Sequence, residues 1–258
     1  MSALDGVAVL VTRPQRQAAP LCRLLEAQGA TVIRVPVLQI EPTDDPQLSA
    51  RVGPVEAFDL VVFTSANAVR FGVRLLGEQR ELNLAAIGPA TAAALREAGF
   101  PATALPTLGF DSDNLLLHPA LRQGAGRRVL IVKGTLGRDL LRERLVERGA
   151  EVVVAEVYAR ARAPRPPAEV AALAASLAAG AIDVITVTSV DIADGLLQLA
   201  TPAMRRDLDR VAWVVPSARV AAALRERGVT APLLTADSAQ DQDLVAAVVR
   251  WRSSVSGA

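Results

Sequence analysis

The chain has 258 residues, 28 basic against 27 acidic side chains and a formal net charge of +1. Without an extended basic run, that balance excludes a dedicated nucleic-acid surface. A single cysteine, Cys22, excludes an internal disulfide and fits a reducing compartment. Hydrophobic residues reach 51% while aromatics are only 3%, so the cores must be built from Ala, Val and Leu, in a chain long enough for two domains. All the basic residues except Lys133 are arginine, which a coding bias towards Ala, Arg and Gly explains. The N-terminus carries Asp5 and no basic stretch before its short apolar run, so it does not read as a secretory signal, and no apolar stretch reaches membrane-spanning length. A soluble, cytoplasmic protein is expected.

In chain order, short apolar runs alternate with helical patterns. A strand is expected over 7–11, then a helix over 20–28 with Leu21, Leu24 and Leu25 on one face and Gly29 as its stop. One strand-like run covers 32–40, followed by a turn-rich stretch at 41–46. Next come a strand at 60–63, a helix over 66–76, a strand at 84–87 and a helix over 91–98. After a loop at 101–113 the pattern gives a short helix, a strand at 128–132, a helix over 138–148 and a strand at 152–158. The Pro- and Arg-rich stretch 160–167 reads as a connector. The rest gives helix 168–179, strand 184–187, helix 191–199, strand 211–215, helix 220–227, strand 231–234 and helix 241–251. Such alternation specifies parallel sheets with helices on both faces.

Parts of this pattern occur twice. Phe58-Asp59-Leu60-Val61-Val62-Phe63-Thr64-Ser65 returns about half a chain later as Ile182-Asp183-Val184-Ile185-Thr186-Val187-Thr188-Ser189. Gly29-Ala30-Thr31-Val32-Ile33 is echoed by Gly149-Ala150-Glu151-Val152-Val153, and Ile87-Gly88-Pro89 by Val215-Pro216 at the end of a later strand. The order of the copies points to a nested arrangement. Residues 1–36 and 160–258 would form one α/β domain and 40–157 an inserted second one, with crossovers near 37–40 and 156–160 and a cleft between the two. A simple tandem split is the alternative.

Several loops follow strands and precede helices: Thr12-Arg13-Pro14, Thr64-Ser65, Gly88-Pro89-Ala90-Thr91, Lys133-Gly134 through Arg138, Thr188-Ser189 and Ser217-Ala218-Arg219. Hydroxyls and unpaired first-turn N–H groups attract anions there; the alternative is that each Ser or Thr only caps its own helix. Six such loops, with Arg13, Lys133, Arg138 and Arg219 among them, point to a cleft for a polyanionic ligand. The segment 133–138 lacks the Gly-Lys-Ser/Thr ending of a Walker A loop, and no GxGxxG is present, so no nucleotide or flavin cofactor is indicated. His118 is the sole histidine and reads as exposed or capping, and without clustered His or Cys no transition-metal site is assembled. Tyr158, the only tyrosine, falls on the proposed crossover, where its phenol either packs against a domain face or serves as a hydrogen-bond donor and general acid.

Taken in order and spacing, Thr12-Arg13-Pro14, Phe63-Thr64-Ser65 with Asn67-Ala68-Val69, Ile87-Gly88-Pro89-Ala90-Thr91, Lys133-Gly134 with Gly137-Arg138-Asp139, Val157-Tyr158 and Thr188-Ser189 resemble the uroporphyrinogen-III synthase family over nearly the whole chain. Lys133 stands where many members have arginine, keeping the charge without the planar fork, and Pro216-Ser217-Ala218-Arg219 departs from a Gly-Pro-Thr-Thr pattern.

The resemblance implies two flavodoxin-like domains joined by a two-stranded linker. It implies cyclisation of the linear tetrapyrrole hydroxymethylbilane, which carries eight carboxylates, with loss of water and inversion of ring D. No cofactor would be needed. Tyr158 would assist departure of the hydroxyl, while Arg13, Thr64, Ser65, Gly88, Thr91, Lys133, Gly134, Arg138, Thr188, Ser189, Ser217 and Arg219 would contact substrate. A monomer receiving its substrate from hydroxymethylbilane synthase is expected. Two other readings stay open on the residues alone: a non-catalytic bilobed sensor of a polyanion, and an enzyme acting on another polycarboxylate or phosphate ester.

Overall fold

Short, Val- and Leu-rich strands form the middle layer of each core, and helices and connecting segments supply the larger share of the buried apolar residues. In a computed structural model, which describes residues 2–106, 112–137 and 139–256, the chain divides into two compact units, residues 1–39 with 161–258 and residues 40–160.

In the first unit, β1 (Ala8–Val11) leads to α1 (Gln15–Ala27) and β2 (Thr31–Arg34). The chain then leaves through β3 (Leu38–Pro42). The second unit continues with α2 (Leu48–Val52), β4 (Leu60–Phe63), α3 (Ala66–Gly72), β5 (Leu84–Ala86), α4 (Pro89–Glu97), α5 (Ser112–Leu115), α6 (Pro119–Arg122), β6 (Arg128–Gly134), α7 (Leu140–Glu147) and β7 (Glu151–Arg162). Back in the first unit lie α8 (Pro167–Ala178), β8 (Val184–Thr186), α9 (Val190–Leu199), α10 (Pro202–Leu208), β9 (Ala212–Val215), α11 (Ala218–Glu226), β10 (Leu233–Thr235) and α12 (Asp241–Ser256). The sheets run β2-β1-β8-β9-β10 and β5-β4-β6-β7-β3. All four pairings in the first sheet, and those of β4 with β5, β4 with β6 and β6 with β7 in the second, are parallel. Counted from β1 in the first unit and from β4 in the second, with β3 left aside as an added edge strand, both sheets begin 2-1-3-4, the doubly wound order in which ligands sit outside the carboxyl ends of the strands.

Alternation along each strand feeds two cores per unit. Val9 and Val11 of β1 face α1 and α12 through Leu21, Leu25, Leu244 and Val248. Leu10 joins Ile185, Trp213 and Val215 against α8 to α11. In the second unit Val61 and Phe63 pack with Val69 and Leu95, while Leu60 and Val62 pack with Leu121, Leu141 and Leu145. Burial on both faces is why these strands read as continuous apolar runs.

The repeated acidic residue has the same task in both copies. The Asp59 carboxylate accepts from the N–H of Arg128 at 2.8 Å, and that of Asp183 from the N–H of Ala8 at 2.8 Å, each at the first residue of the neighbouring strand. The repeated glycines also match: Gly29 and Gly149 end α1 and α7 at φ 90° and 84°, a left-handed conformation that closes a helix at low steric cost.

Four readings of the sequence need correction. The run 32–40 is two strands in different sheets, because Pro36 has no N–H with which to continue a ladder. The stretch 160–167 is not all connector, since β7 runs on to Arg162. The first helix begins at Gln15 and carries Pro20 inside it; Ala18 shares the buried face of Leu21, Cys22 and Leu25, and that packing outweighs one lost hydrogen bond. Helix α10 was not anticipated, although Thr201 caps it and Pro202 opens it, with Met204 and Leu208 buried one turn apart. No helix among the described residues is long and apolar enough to cross a membrane.

Candidate functional site

At the carboxyl ends of β4 and β6 and beside β7, the second unit holds a cavity of about 250 Å³, lined among others by Thr64, Ser65, Lys133, Gly134, Asp139 and Tyr158. Ser65 is the N-cap of α3: its backbone is extended and its Oγ accepts from the Ala68 N–H at 3.0 Å. The same Oγ lies 3.1 Å from the Tyr158 phenol oxygen. Thr64 Oγ1 donates to the Val132 carbonyl at 3.3 Å, linking β4 to β6.

Tyr158 is 7% exposed, and its ring is held from two directions. The Phe71 ring centroid is 6.0 Å away at a 30° tilt. Gly134 provides the other contact: a Cβ there would stand 2.6 Å from Tyr158 Cζ and 2.7 Å from Cε2, so only glycine lets the ring approach this backbone. The close approach coincides with a register shift between Lys133 and Gly134, which brings Gly134 opposite Tyr158.

Lys133 is buried, and its ammonium donates to Asp139 Oδ1 at 2.6 Å. The Lys133 hydrogen bond, and secondly its charge, hold the Asp139 carboxyl below its ordinary 3.8. Asp139 occupies the N-cap position of α7 yet makes no side-chain cap bond, because it is committed to Lys133. Arg142, exposed in the first turn of α7, lines the same cavity.

Gly88, Thr91 and His118 are not among the residues that line the cavity. Gly88 is the N-cap of α4 and Thr91 is buried in that helix's first turn, at the end of β5. Arg138 lies outside the described residues. His118 Nδ1 accepts from the Ala120 N–H at 3.2 Å, capping α6.

In the first unit, Arg13 is more engaged than a waiting cation. Its Nε donates to Thr188 Oγ1 at 3.1 Å, Nη2 to the Ala239 carbonyl at 2.9 Å, and Nη1 pairs with Asp241. With 11% of its side chain exposed, it ties together the loops after β1, β8 and β10. The preceding Thr12 is buried and donates to the Thr186 carbonyl at 2.7 Å. Ser189 and Ser217 cap α9 and α11, accepting from Ile192 at 3.3 Å and Val220 at 3.4 Å. Arg219 is exposed on the first turn of α11.

Sequence reasoning missed Arg142 and Asp241, and named Asp139 only within the family motif and not as a site residue. Asp139 has a local signal, an acid where a helix begins next to a lysine-bearing loop. Asp241 has none, being paired with a residue near the opposite end of the chain.

The family model described as uroporphyrinogen-III synthase HemD matches residues 19–246. The uroporphyrinogen-III synthase of Salmonella typhimurium is 32% identical over 250 residues, covering 94% of this chain and 100% of that protein. The Escherichia coli enzyme of that name is 33% identical over 160 residues, covering 60% of this chain and 65% of its own. Among solved structures, a mutant uroporphyrinogen III synthase from Thermus thermophilus superimposes with a TM-score of 0.60 at 24% identity, covering 98% of this chain and 100% of that one. The Helicobacter pylori synthetase gives 0.62 at 15% identity, covering 95% and 99%. These structures support the α/β fold with parallel sheets, and the sequence matches define the family. The chain belongs to the uroporphyrinogen-III synthase family.

Proposed function

We propose that the chain cyclises hydroxymethylbilane to uroporphyrinogen III, and that the cavity at the carboxyl ends of β4 and β6 is where the hydroxyl leaves. The observation that carries this placement is the sole tyrosine, buried on β7 with its phenol beside Ser65 in a cavity that also holds Lys133, Asp139 and Arg142, in a chain of this family. Tyr158 protonates the departing hydroxyl of ring A, which leaves as water. The resulting cationic azafulvene is attacked by the substituted carbon of ring D. The spiro intermediate then fragments and recloses in the inverted sense, and loss of a proton completes the macrocycle.

Lys133, with Gly134 and Thr64, offers cationic and hydrogen-bonding groups to substrate carboxylates on this side, and Arg138, outside the described residues, is proposed as a further carboxylate partner. Gly88, the N-cap of α4, and Thr91 in its first turn would add polar groups at the end of β5. In the first unit, Thr188, Ser189, Ser217 and Arg219 would offer further hydrogen-bonding and cationic groups to substrate, with Arg13 holding the loops after β1, β8 and β10 in place. In this reading the units are two flavodoxin-like domains on a two-stranded linker. Holding ring D with its substituted carbon towards ring A supplies much of the rate through orientation. A cytoplasmic monomer that receives its labile substrate directly from the synthase producing it suits this chemistry.

The test is the rate. Freshly generated hydroxymethylbilane mixed with purified protein should cyclise faster than in buffer, in proportion to protein concentration. Disappearance at the spontaneous rate would refute the proposal.

A further inference from the structure

We propose that Ser65 is a positioning residue that donates its hydroxyl proton to the Tyr158 phenol oxygen, which leaves the phenol's own proton directed into the cavity. The inference rests on the reading of Tyr158 as the acid and adds what prepares it.

Two directions are open for the 3.1 Å contact between Ser65 Oγ and Tyr158 Oη. If the phenol donated to serine, its only proton would be occupied, and protonating a leaving group would first require that bond to break. If serine donates, the phenol proton is free. Ser65 Oγ already accepts from the Ala68 N–H at 3.0 Å, and a hydroxyl that accepts one hydrogen bond becomes a better donor in the next. Its capping bond therefore favours the second direction.

Nor is Ser65 needed to hold the ring. The Gly134 backbone lies against Cζ and Cε2 of Tyr158, and Phe71 packs at 6.0 Å between centroids, so packing fixes the ring. What Ser65 adds is the orientation of one proton. Among the described residues, the charged groups that line the same cavity are Lys133, Asp139, Arg142 and Arg160. They are common to the parent and its Ser65 variants, so they do not distinguish them.

The test is kinetic. In Ser65→Ala turnover should fall about tenfold with KM changed less, and Ser65→Thr, which keeps both the cap and the donor, should restore turnover. In a Tyr158→Phe background, Ser65→Ala should cost no further turnover, because its effect passes through the phenol. Undiminished turnover in Ser65→Ala would overturn the proposal, as would an equal loss of turnover with and without Tyr158. If Tyr158→Phe itself keeps full turnover, the assignment of the acid fails and this proposal fails with it. If Tyr158→Phe is impaired but the two losses multiply, only the role of Ser65 is lost.

Discussion

Gly134 and Asp139 each do something at the site that their residue type alone decides. A methyl group at 134 would stand 2.6 Å from the Tyr158 ring, closer than any real Cβ contact, so Gly134→Ala must move the ring or the strand. Overpacking of this kind costs about 1–3 kcal/mol, and a displacement near 1 Å at a reacting group costs about 10²-fold in rate. Thermal unfolding and steady-state kinetics of Gly134→Ala should show both losses, with kcat falling more than KM rises. Asp139 carries a different signature. Its folded pKa lies below the ordinary 3.8 because of Lys133, so ionised Asp139 adds stability that is fully present above the unfolded value. That contribution is lost as pH falls through the folded value. The side chain is 56% exposed, so solvent screens the pair and the effect is under about 1 kcal/mol. Urea unfolding of Asp139→Asn should show a slightly less stable protein at pH 7. The difference from the parent should shrink as pH drops through and below the carboxylate range.

At the scale of elements, the two copies of the strand-and-turn signature carry the same hydrogen bonds in different units. Each aspartate accepts the first N–H of the adjacent strand, and each terminal serine caps the helix that follows. Replacing Asp183 with alanine leaves the Ala8 N–H without that acceptor and should cost about 1.5–3 kcal/mol in chemical denaturation, as for a hydrogen bond to a charged group; no measurable loss would remove the structural role given to the repeat. Strands and long helices were legible in the sequence because double-sided burial gives continuous apolar runs and Gly29 and Gly149 mark helix ends. The break at Pro36 was hidden inside an apolar run that looked like one strand. Of the site, Thr64, Ser65, Lys133 and Gly134 are legible as strand-end loop residues and Tyr158 as the sole tyrosine on the crossover strand, and all five line one cavity. The ion pairs of Lys133 with Asp139 and of Arg13 with Asp241 were not legible, because pairing depends on folded geometry that strand and helix periodicity does not encode.

At the scale of the whole molecule, the chain passes between its two units twice, next to Gln39 and next to Arg160. Units joined this sparsely are expected to move relative to one another. If both contribute to enclosing a flexible polycarboxylate, the scattering radius should fall when uroporphyrinogen III is added. An unchanged radius at saturation would confine binding to one unit. The central claim is that this chain directs which carbon of ring D closes the macrocycle, and the isomer formed reports that directly. With hydroxymethylbilane held constant and protein increased, the type III fraction should rise from near zero and dominate once catalysis outruns spontaneous closure. A product that remains type I at every protein concentration would contradict the account.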